Sequence, residues 1–246
     1  MSKENSNDET QNRRSIGLLR HSSLVVRHLA FLASVLFVAE IPAADSSHPN
    51  ILFLFPDQWR AQAFGFAGDP NVKTPQLDRF EKQSVHFIHA VAGVPVCCPT
   101  RASLFTGQRP LTTGVFLNDV PLSTNAVSLA KVLQGAGYDT AYIGKWHLNG
   151  DGRSRFISPE RRQGFQYWKA QECTHDYNHS SYYAGTPDKV VWPGYDAFAQ
   201  TQDAAQYIRA HASSAKPFFL FLAWGPPHDP YDTAPPSSAL STLRKT

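Results

Sequence analysis

Three short apolar runs constrain the fold of this chain more than any other feature of its 246 residues. They occupy residues 50–55, 140–143 and 218–223, and their length and composition suit strands that are buried on both faces of a parallel sheet. The second and third runs follow helix candidates at residues 127–134 and 195–212. Because alternating helices and strands are typical of α/β domains, the sequence predicts a central, largely parallel sheet flanked by helices.

Polar side chains follow each apolar run at the point where the predicted strand ends. They are Asp57 and Gln58 after the first run, Lys145 and His147 after the second, and His228 and Asp229 after the third. Ligands of open α/β sheets bind outside the carboxyl ends of the strands, so these groups are expected to meet in one crevice. Each has a structural alternative when taken singly: Asp57 could cap a turn, Lys145 could be solvated, and His147 could be a hydrogen-bonded core residue.

The segment at residues 149–193 shows no clear hydrophobic period and is rich in Gly, Pro, Tyr, His and Arg. It is predicted to be a long surface loop, and such loops often bind ligands. Its aromatic and histidine side chains could stack on sugar rings, although packing of the loop itself is the preferred interpretation. These side chains are Tyr167, Trp168, His175, Tyr177, His179, Tyr182 and Tyr183.

The first 44 residues have the pattern of a secretory signal peptide. Residues 11–28 contain four arginines and no acid, residues 29–38 are apolar, and Pro42, Ala43 and Ala44 offer a small-residue cleavage site. We therefore expect a secreted or periplasmic protein whose mature domain covers residues 45–246. A core helix or an uncleaved anchor is the alternative, but residues 29–38 fall short of the roughly 20 apolar residues that a membrane span needs. No membrane contact is expected after the leader is removed.

Charge and cysteine content argue against nucleic-acid binding, a disulfide scaffold and a structural zinc site. The 23 basic and 20 acidic residues give a net charge of +3 without a long basic block, so nucleic acid is not predicted as a partner. The three cysteines, Cys97, Cys98 and Cys173, are too few for a disulfide scaffold and lack the Cys-x-x-Cys spacing of a structural zinc site.

Cys97 begins a compact motif, Cys97-Cys98-Pro99-Thr100-Arg101. Pro99 suits the first turn of a helix and Gly107 its end, so Cys97 is expected just before a helix N-terminus, where free backbone N–H groups favour an anion. Arg101 adds a fixed positive charge. A disulfide cysteine beside a helix is the alternative.

Together these residues resemble the sulfatase family, whose members share the alkaline-phosphatase-like α/β fold. In that family the cysteine of Cys-x-Pro-x-Arg is converted after translation to Cα-formylglycine, and the matching residue here is Cys97. The run Gly144-Lys145-Trp146-His147-Leu148 resembles a second family signature, and Pro226-Pro227-His228-Asp229-Pro230 resembles the segment that carries the leaving-group histidine. The resemblance extends from residue 50 to about residue 234.

The resemblance implies a role for each catalytic candidate. As an aldehyde hydrate, residue 97 would attack sulfur with one hydroxyl and later expel sulfate with the other, aided by Arg101. Lys145 would bind sulfate oxygens and offset the charge of the transition state. His228 would protonate the leaving alcohol, and His147 would accept the proton of the second hydroxyl.

The resemblance also implies a calcium ion held by Asp57, Gln58 and residue 97. Family members commonly carry two adjacent Asp after the first strand, and a Gln carbonyl oxygen at position 58 can still serve a hard cation. The second pair of ligands, usually Asp with Asn or His, is expected after the third strand and does not occur before Thr246. We therefore expect residues 45–246 to be the N-terminal part of the catalytic domain, with the C-terminal part missing and the chain nearly inactive by itself.

The predicted function is that of an exported sulfuric ester hydrolase, matured by a formylglycine-generating enzyme and acting on sulfated carbohydrate or an aryl sulfate. One alternative is a phosphonate monoester or phosphodiester hydrolase of the same superfamily, because Asp57-Gln58-Trp59-Arg60 also resembles that branch. The other alternative is a non-catalytic anion-binding protein that keeps the fold but lacks half of its metal ligands.

Overall fold

A computed structural model describes residues 48–236 of the chain, so the predicted signal peptide at residues 1–44 lies outside the described residues. The strands are β1 (Ile51–Pro56), β2 (Asp139–Lys145), β3 (Tyr167–Gln171), β4 (Ser181–Tyr182), β5 (Val190–Val191) and β6 (Phe218–Trp224). The helices are α1 (Pro75–Glu81), α2 (Cys97–Thr106), α3 (Pro110–Thr113), α4 (Leu129–Gly135) and α5 (Asp196–His211), with short 3-10 turns at Pro159–Arg161 and Tyr231–Thr233. None of the helices described here has the length and hydropathy of a membrane span.

Four strands form one parallel sheet in the order β1, β6, β2, β3, while β4 and β5 form a separate antiparallel pair. The three predicted apolar strands are all present and lie next to one another in this sheet. β2 and β6 are buried on both faces, as predicted. The prediction is wrong for β1, because this strand lies at the edge of the sheet and Leu52 and Leu54 on one of its faces are 46% and 47% exposed. The predicted α/β class with a largely parallel sheet is therefore confirmed.

Two clusters of buried side chains, one on each face, hold the layers together. On one face, Phe105 of α2 packs with Tyr142 of β2 and Phe221 of β6, at ring-centroid distances of 6.0 and 5.0 Å. On the other face, Ala199 and Tyr207 of α5 belong to the cluster formed by alternate residues of β2 and β6. Full burial of one such large side chain contributes about 1.5–3 kcal/mol, so these clusters account for a large share of the stability of the sheet.

The prediction of an irregular surface loop over residues 149–193 is wrong for its middle. β3 lies within this segment and pairs in parallel with β2, from Ala141 opposite Tyr167 to Lys145 opposite Gln171. The strand was not evident from sequence because only five residues pair, and its polar Lys169 is half-buried beside buried neighbours. The loop-packing interpretation is confirmed for Tyr177 and Tyr183, which are buried. Trp168 is also buried, but it packs as part of β3 and not of a loop.

The parallel arrangement brings the carboxyl ends of β1, β6 and β2 to one edge of the sheet. Pro56 at the end of β1 lies opposite Trp224, and Gly144 near the end of β2 lies opposite Ala223. Gly144 has a φ of +108°, and a Cβ there would come within 2.0 Å of the Ala223 carbonyl oxygen. Only glycine permits this close approach, which sets the position of the next residue, Lys145.

Candidate active site

Asp57 is the centre of a buried ionic cluster at this edge of the sheet. Lys145 Nζ lies 2.6 Å and Arg101 Nη2 lies 3.1 Å from the same carboxylate oxygen, Oδ2. Only 4% of the Lys145 side chain and 1% of the Arg101 side chain are exposed. Burial opposes ionisation of Asp57, but the charges of Arg101 and Lys145 outweigh it and lower the pKa of Asp57 to about 2. Two cations around one carboxylate leave a net positive charge, which favours a bound anion.

Arg101 is fixed in this cluster by its neighbours. Its Nη1 donates to the backbone oxygen of Lys145 at 2.5 Å and to the Tyr142 hydroxyl at 3.2 Å. Its guanidinium also lies 5.2 Å from the centre of the Phe55 ring. Arg101 therefore acts as a buried, immobile charge that holds Lys145 and Asp57 in place.

Cys97 lies beside the ionic cluster and is half-buried. Its Sγ is 3.7 Å from both carboxylate oxygens of Asp57 and 3.5 Å from Lys145 Nζ. The structure makes Cys97 the first residue of α2, with Val96 as the N-cap, rather than the residue before the helix. A group at position 97 is therefore reachable from the crevice and sits next to a lysine charge.

The N-terminus of α2 offers fewer free amides than the sequence suggested. The N–H of Cys98 donates to Asn118 Oδ1 at 3.0 Å, Pro99 has no N–H, and the N–H of Thr100 donates to the Val96 carbonyl oxygen. The expected backbone anion site at the helix terminus is thus largely occupied by the protein itself. Lys145 Nζ, 3.5 Å from Cys97 Sγ, brings a positive charge next to residue 97.

Cys98 differs from Cys97 in its exposure and in the contacts of its thiol. It is fully buried, and its Sγ accepts the backbone N–H of Asp119 at 3.3 Å. Burial raises the pKa of Cys98 to about 12, so this thiol stays protonated. Cys98 is a structural residue, and Cys97 is the chemically accessible one.

His147 lies next to this cluster but is held by another residue. Only 4% of its side chain is exposed, and its Nε2 lies 3.2 Å from Asp119 Oδ1. Burial and the charge of Lys145 lower the pKa of His147 to about 4 although Asp119 opposes them, so the ring is neutral at pH 7. The other nitrogen, Nδ1, is buried and has no hydrogen-bond partner among the described residues. No signal in the sequence marked Asp119 as its partner.

His228 lies in the loop after β6, among a different set of neighbours. Its Nδ1 is 2.9 Å from both the backbone oxygen and the Oδ1 of Asp229. Since both partners are acceptors, Nδ1 carries a proton and donates, and Nε2 makes no hydrogen bond with residues 48–236. The ring of His175 stacks on the ring of His228. The structure thus joins four of the predicted catalytic and metal residues into one cluster and gives His147 and His228 separate partners.

The residues predicted to bind metal do not complete a calcium site. Gln58 is exposed and lines a groove of about 810 Å³ together with Trp59, Trp224 and Pro227. Asp57 Oδ2 is already paired with Lys145 and Arg101. Across residues 48–236 no three His, Cys, Asp or Glu side chains are grouped to hold a metal ion. Calcium takes six to eight oxygen ligands, whereas Asp57 and Gln58 supply oxygens from only two side chains.

Comparison with known proteins extends over nearly all of the described chain. A family model described as Sulfatase matches residues 49–242. An ulvan-active sulfatase of Formosa agariphila is 48% identical over 192 residues, which cover 78% of this chain and 38% of that protein. The structure of a putative sulfatase from Bacteroides fragilis matches 80% of this chain and 47% of its own, with a TM-score of 0.73 and 30% identity.

A third match is a structure solved with its substrate, D-glucosamine-2-N,6-O-disulfate. It is 28% identical, has a TM-score of 0.66, and covers 80% of this chain and 38% of its own. The chain therefore spans between 38% and 47% of the length of these three proteins. The structural neighbours have the alkaline-phosphatase-like fold, as the sequence predicted.

Proposed function

The chain belongs to the sulfatase family, and on this basis we propose that it forms part of an enzyme that hydrolyses sulfate esters of carbohydrates. The observation that carries the proposal is the buried cluster of Lys145, Arg101 and Asp57 beside an accessible residue 97. Its net positive charge, at the edge of the sheet where ligands bind, suits a sulfate group. The names of the relatives, an ulvan-active sulfatase and a protein that takes a glucosamine disulfate, support a carbohydrate over an aryl sulfate.

Maturation of Cys97 to Cα-formylglycine by a formylglycine-generating enzyme is part of this proposal. The position of Cys97 supports it, because residue 97 is half-buried and faces the cationic cluster, whereas Cys98 is enclosed. As an aldehyde hydrate, residue 97 would supply two hydroxyls, one to attack sulfur and one to expel sulfate.

The surrounding side chains have the charges and free atoms that the reaction needs. Lys145 Nζ, 3.5 Å from the residue-97 side chain, would bind a sulfate oxygen and offset the charge of the transition state. Asp57 stays ionised at neutral pH and pairs with both Lys145 and Arg101, which holds the two side chains in place. The neutral His147 would take up a proton at Nδ1, which has no hydrogen-bond partner among the described residues. His228 would donate to the leaving alcohol from its doubly protonated form, giving up the proton on Nε2 while Nδ1 keeps its hydrogen bond to Asp229.

Calcium binding is also proposed, on the oxygen ligands that the chain offers. Asp57 and Gln58 offer the hard oxygen atoms that calcium prefers, and residue 97 would add an oxygen once it is modified. The other ligands would come from water, backbone carbonyls or residues beyond those that the structure describes. No step above is assigned to the ion. Calorimetric titration with calcium tests this part: tight binding by the 246-residue chain alone would mean that its own residues complete the site.

Export is also proposed, on the composition of residues 1–44. Cleavage near Ala43 or Ala44 would release a chain that begins just before β1. Sequencing the N-terminus of secreted or periplasmic protein measures this directly. Recovery of intact Met1 from the cytosol would contradict export.

Parallel assays on one preparation test the proposed function. We expect release of sulfate from sulfated oligosaccharides and little turnover of phosphodiesters or phosphonate monoesters, with formylglycine at residue 97 detected by mass spectrometry. Preferential cleavage of the phosphorus esters would favour the phosphonate monoester or phosphodiester hydrolase. Binding of sulfated sugars without turnover in protein that carries the modification would favour the non-catalytic alternative.

A further inference from the structure

His175, which the reaction scheme above does not use, lies against the predicted leaving-group histidine. The rings of His175 and His228 stack with centroids 4.8 Å apart and planes 18° from parallel. His175 follows β3 and His228 follows β6, so the contact forms only when the two loops meet in the folded chain.

The hydrogen bond at Nδ1 ties His228 to its own neighbour in the chain. Nδ1 donates to Asp229, whose backbone oxygen also accepts the hydroxyl of the buried Tyr177 at 3.1 Å. The Asp229 side chain is 56% exposed and belongs to the same loop, so this restraint moves with the loop. Stacking on His175 adds a restraint from a different segment, and together the two contacts hold the direction of Nε2.

His175 is itself anchored from the side of the ionic cluster. Its Nε2 lies 3.9 Å from the Sγ of Cys173, and the backbone N–H of Cys173 donates to the Arg153 carbonyl oxygen at 3.1 Å. Burial raises the pKa of Cys173, so its thiol keeps a proton that can be directed at the ring nitrogen. Cys173, which lies two residues after the carboxyl end of β3, thereby links the position of His175 to that strand.

His175 is uncharged at neutral pH, which suits its position against the ring of His228, the proposed proton donor. Burial, and then the charges of His228 and Lys145, lower the pKa of His175, so this imidazole is neutral at pH 7. When His228 carries the proton that it would give to the leaving alcohol, a neutral aromatic face against its ring is a favourable arrangement, as in other contacts between a cation and a π system. Two cationic rings in the same stack would repel each other.

We propose that His175 is a positioning residue that stacks on His228 and holds its Nε2 toward the leaving alcohol. The inference rests on the proposed function of His228 as the leaving-group acid. Because His175 acts through the acid, its loss should lower kcat for esters whose alcohol needs a proton. KM, and kcat for an activated aryl sulfate whose phenol leaves unaided, should change little.

The experiment compares His175→Ala with His175→Phe in sulfatase-active protein that contains this chain. His175→Ala should lower kcat on a sugar sulfate about tenfold and on 4-nitrophenyl sulfate less than about twofold. His175→Phe, which restores an aromatic face without an ionisable nitrogen, should recover most of the lost rate. The matched control is His179→Ala, since His179 belongs to the same loop, is 81% exposed and contacts only Asp176 among its described hydrogen-bond partners.

A second measurement tests the stack without turnover. In proton NMR the Hε1 resonance of His228 should move downfield in His175→Ala, because the ring current of the neighbouring imidazole is lost, and should stay shielded in His175→Phe. An unchanged resonance overturns the inference, as does an equal loss of kcat on both esters or a failure of Phe to rescue. Wild-type protein that bears formylglycine yet hydrolyses no sulfate ester would instead refute the proposed function itself.

Discussion

The two sides of the crevice are held in place by different forces. On one side, Asp57, Arg101 and Lys145 form ion pairs whose side chains are at least nine-tenths buried. On the other side, His228 depends on Asp229, whose side chain is 56% exposed, and on a stack with the exposed His175. Buried charges resist rearrangement because separating them is costly, whereas exposed loop contacts are individually weak.

This difference suggests a division of tasks within the proposed enzyme. The sulfate group is the same in every substrate, and the rigid ionic cluster lies where it would bind. The alcohol differs from one substrate to another, and the side that would meet it consists of loops, which tolerate sequence change. Variants of the ionic side should therefore affect all esters alike, whereas variants of the loop side should affect esters according to their alcohol.

The largest effect is expected at residue 97. Cys97→Ala should lower turnover by at least about a thousandfold on sugar and aryl sulfates alike, because it removes the nucleophile that every ester needs. Cys98→Ser should retain most of the activity, since Cys98 is buried and only accepts a hydrogen bond from Asp119. Steady-state kinetics with both ester classes measure this, and the opposite pattern would assign the chemistry to the other cysteine.

The rigidity of the ionic side can be tested through stability. Asp57→Asn keeps the volume of the side chain but leaves two buried cations without a carboxylate, so the free energy of unfolding should fall by about 3–5 kcal/mol. Asp151→Asn is the control, because Asp151 pairs with Arg155 on the surface and its loss should change stability by less than about 0.5 kcal/mol. Urea unfolding compares them. Equal, small changes would show that water screens the Asp57 cluster.

The two histidines should differ in their dependence on the leaving group. His228→Ala should slow hydrolysis of sugar sulfates about a hundredfold and of an activated aryl sulfate much less, because only the poor leaving group needs a proton. His147→Ala should slow both alike and, if this residue drives release of sulfate, should show one rapid turnover followed by a slow steady state. Stopped-flow assays distinguish the two. Equal losses for both variants, without a burst, would contradict the division of roles.

The smallest effect concerns acid stability and the burial of His147. The pKa of His147 is lowered from 6.5 to about 4 on folding, so between these values the unfolded chain binds more protons than the folded chain. The contribution of His147 to stability should therefore fall as the pH drops from about 6.5 to about 4, whereas the buried Glu172 and Asp196, whose pKa values are raised, contribute with the opposite sign. His147→Gln should make that fall shallower, while the exposed His179→Gln should not. Thermal melts across this range measure both, and parallel curves for all three proteins would place His147 in contact with water.

Local patterns predicted the three central strands and the edge at which their polar residues meet. Short apolar runs that are followed by polar residues are typical of parallel strands buried in a sheet, so these strands can be predicted from the residues of each run alone. β3 escaped prediction because its burial depends on pairing with β2 rather than on its own composition. Likewise, the sequence predicted that the backbone amides of α2 are free to bind an anion, but the N–H of Cys98 donates to the side chain of Asn118.

The sequence by itself determined the α/β class, the family and the residue types available for chemistry, because each follows from neighbours along the chain. Only the tertiary structure decided which cysteine is accessible, that Asp119 partners His147, and that His175 stacks on His228. These outcomes depend on contacts between segments far apart in the chain. Burial and charge at each site are properties of the assembled fold, and no local pattern encodes them.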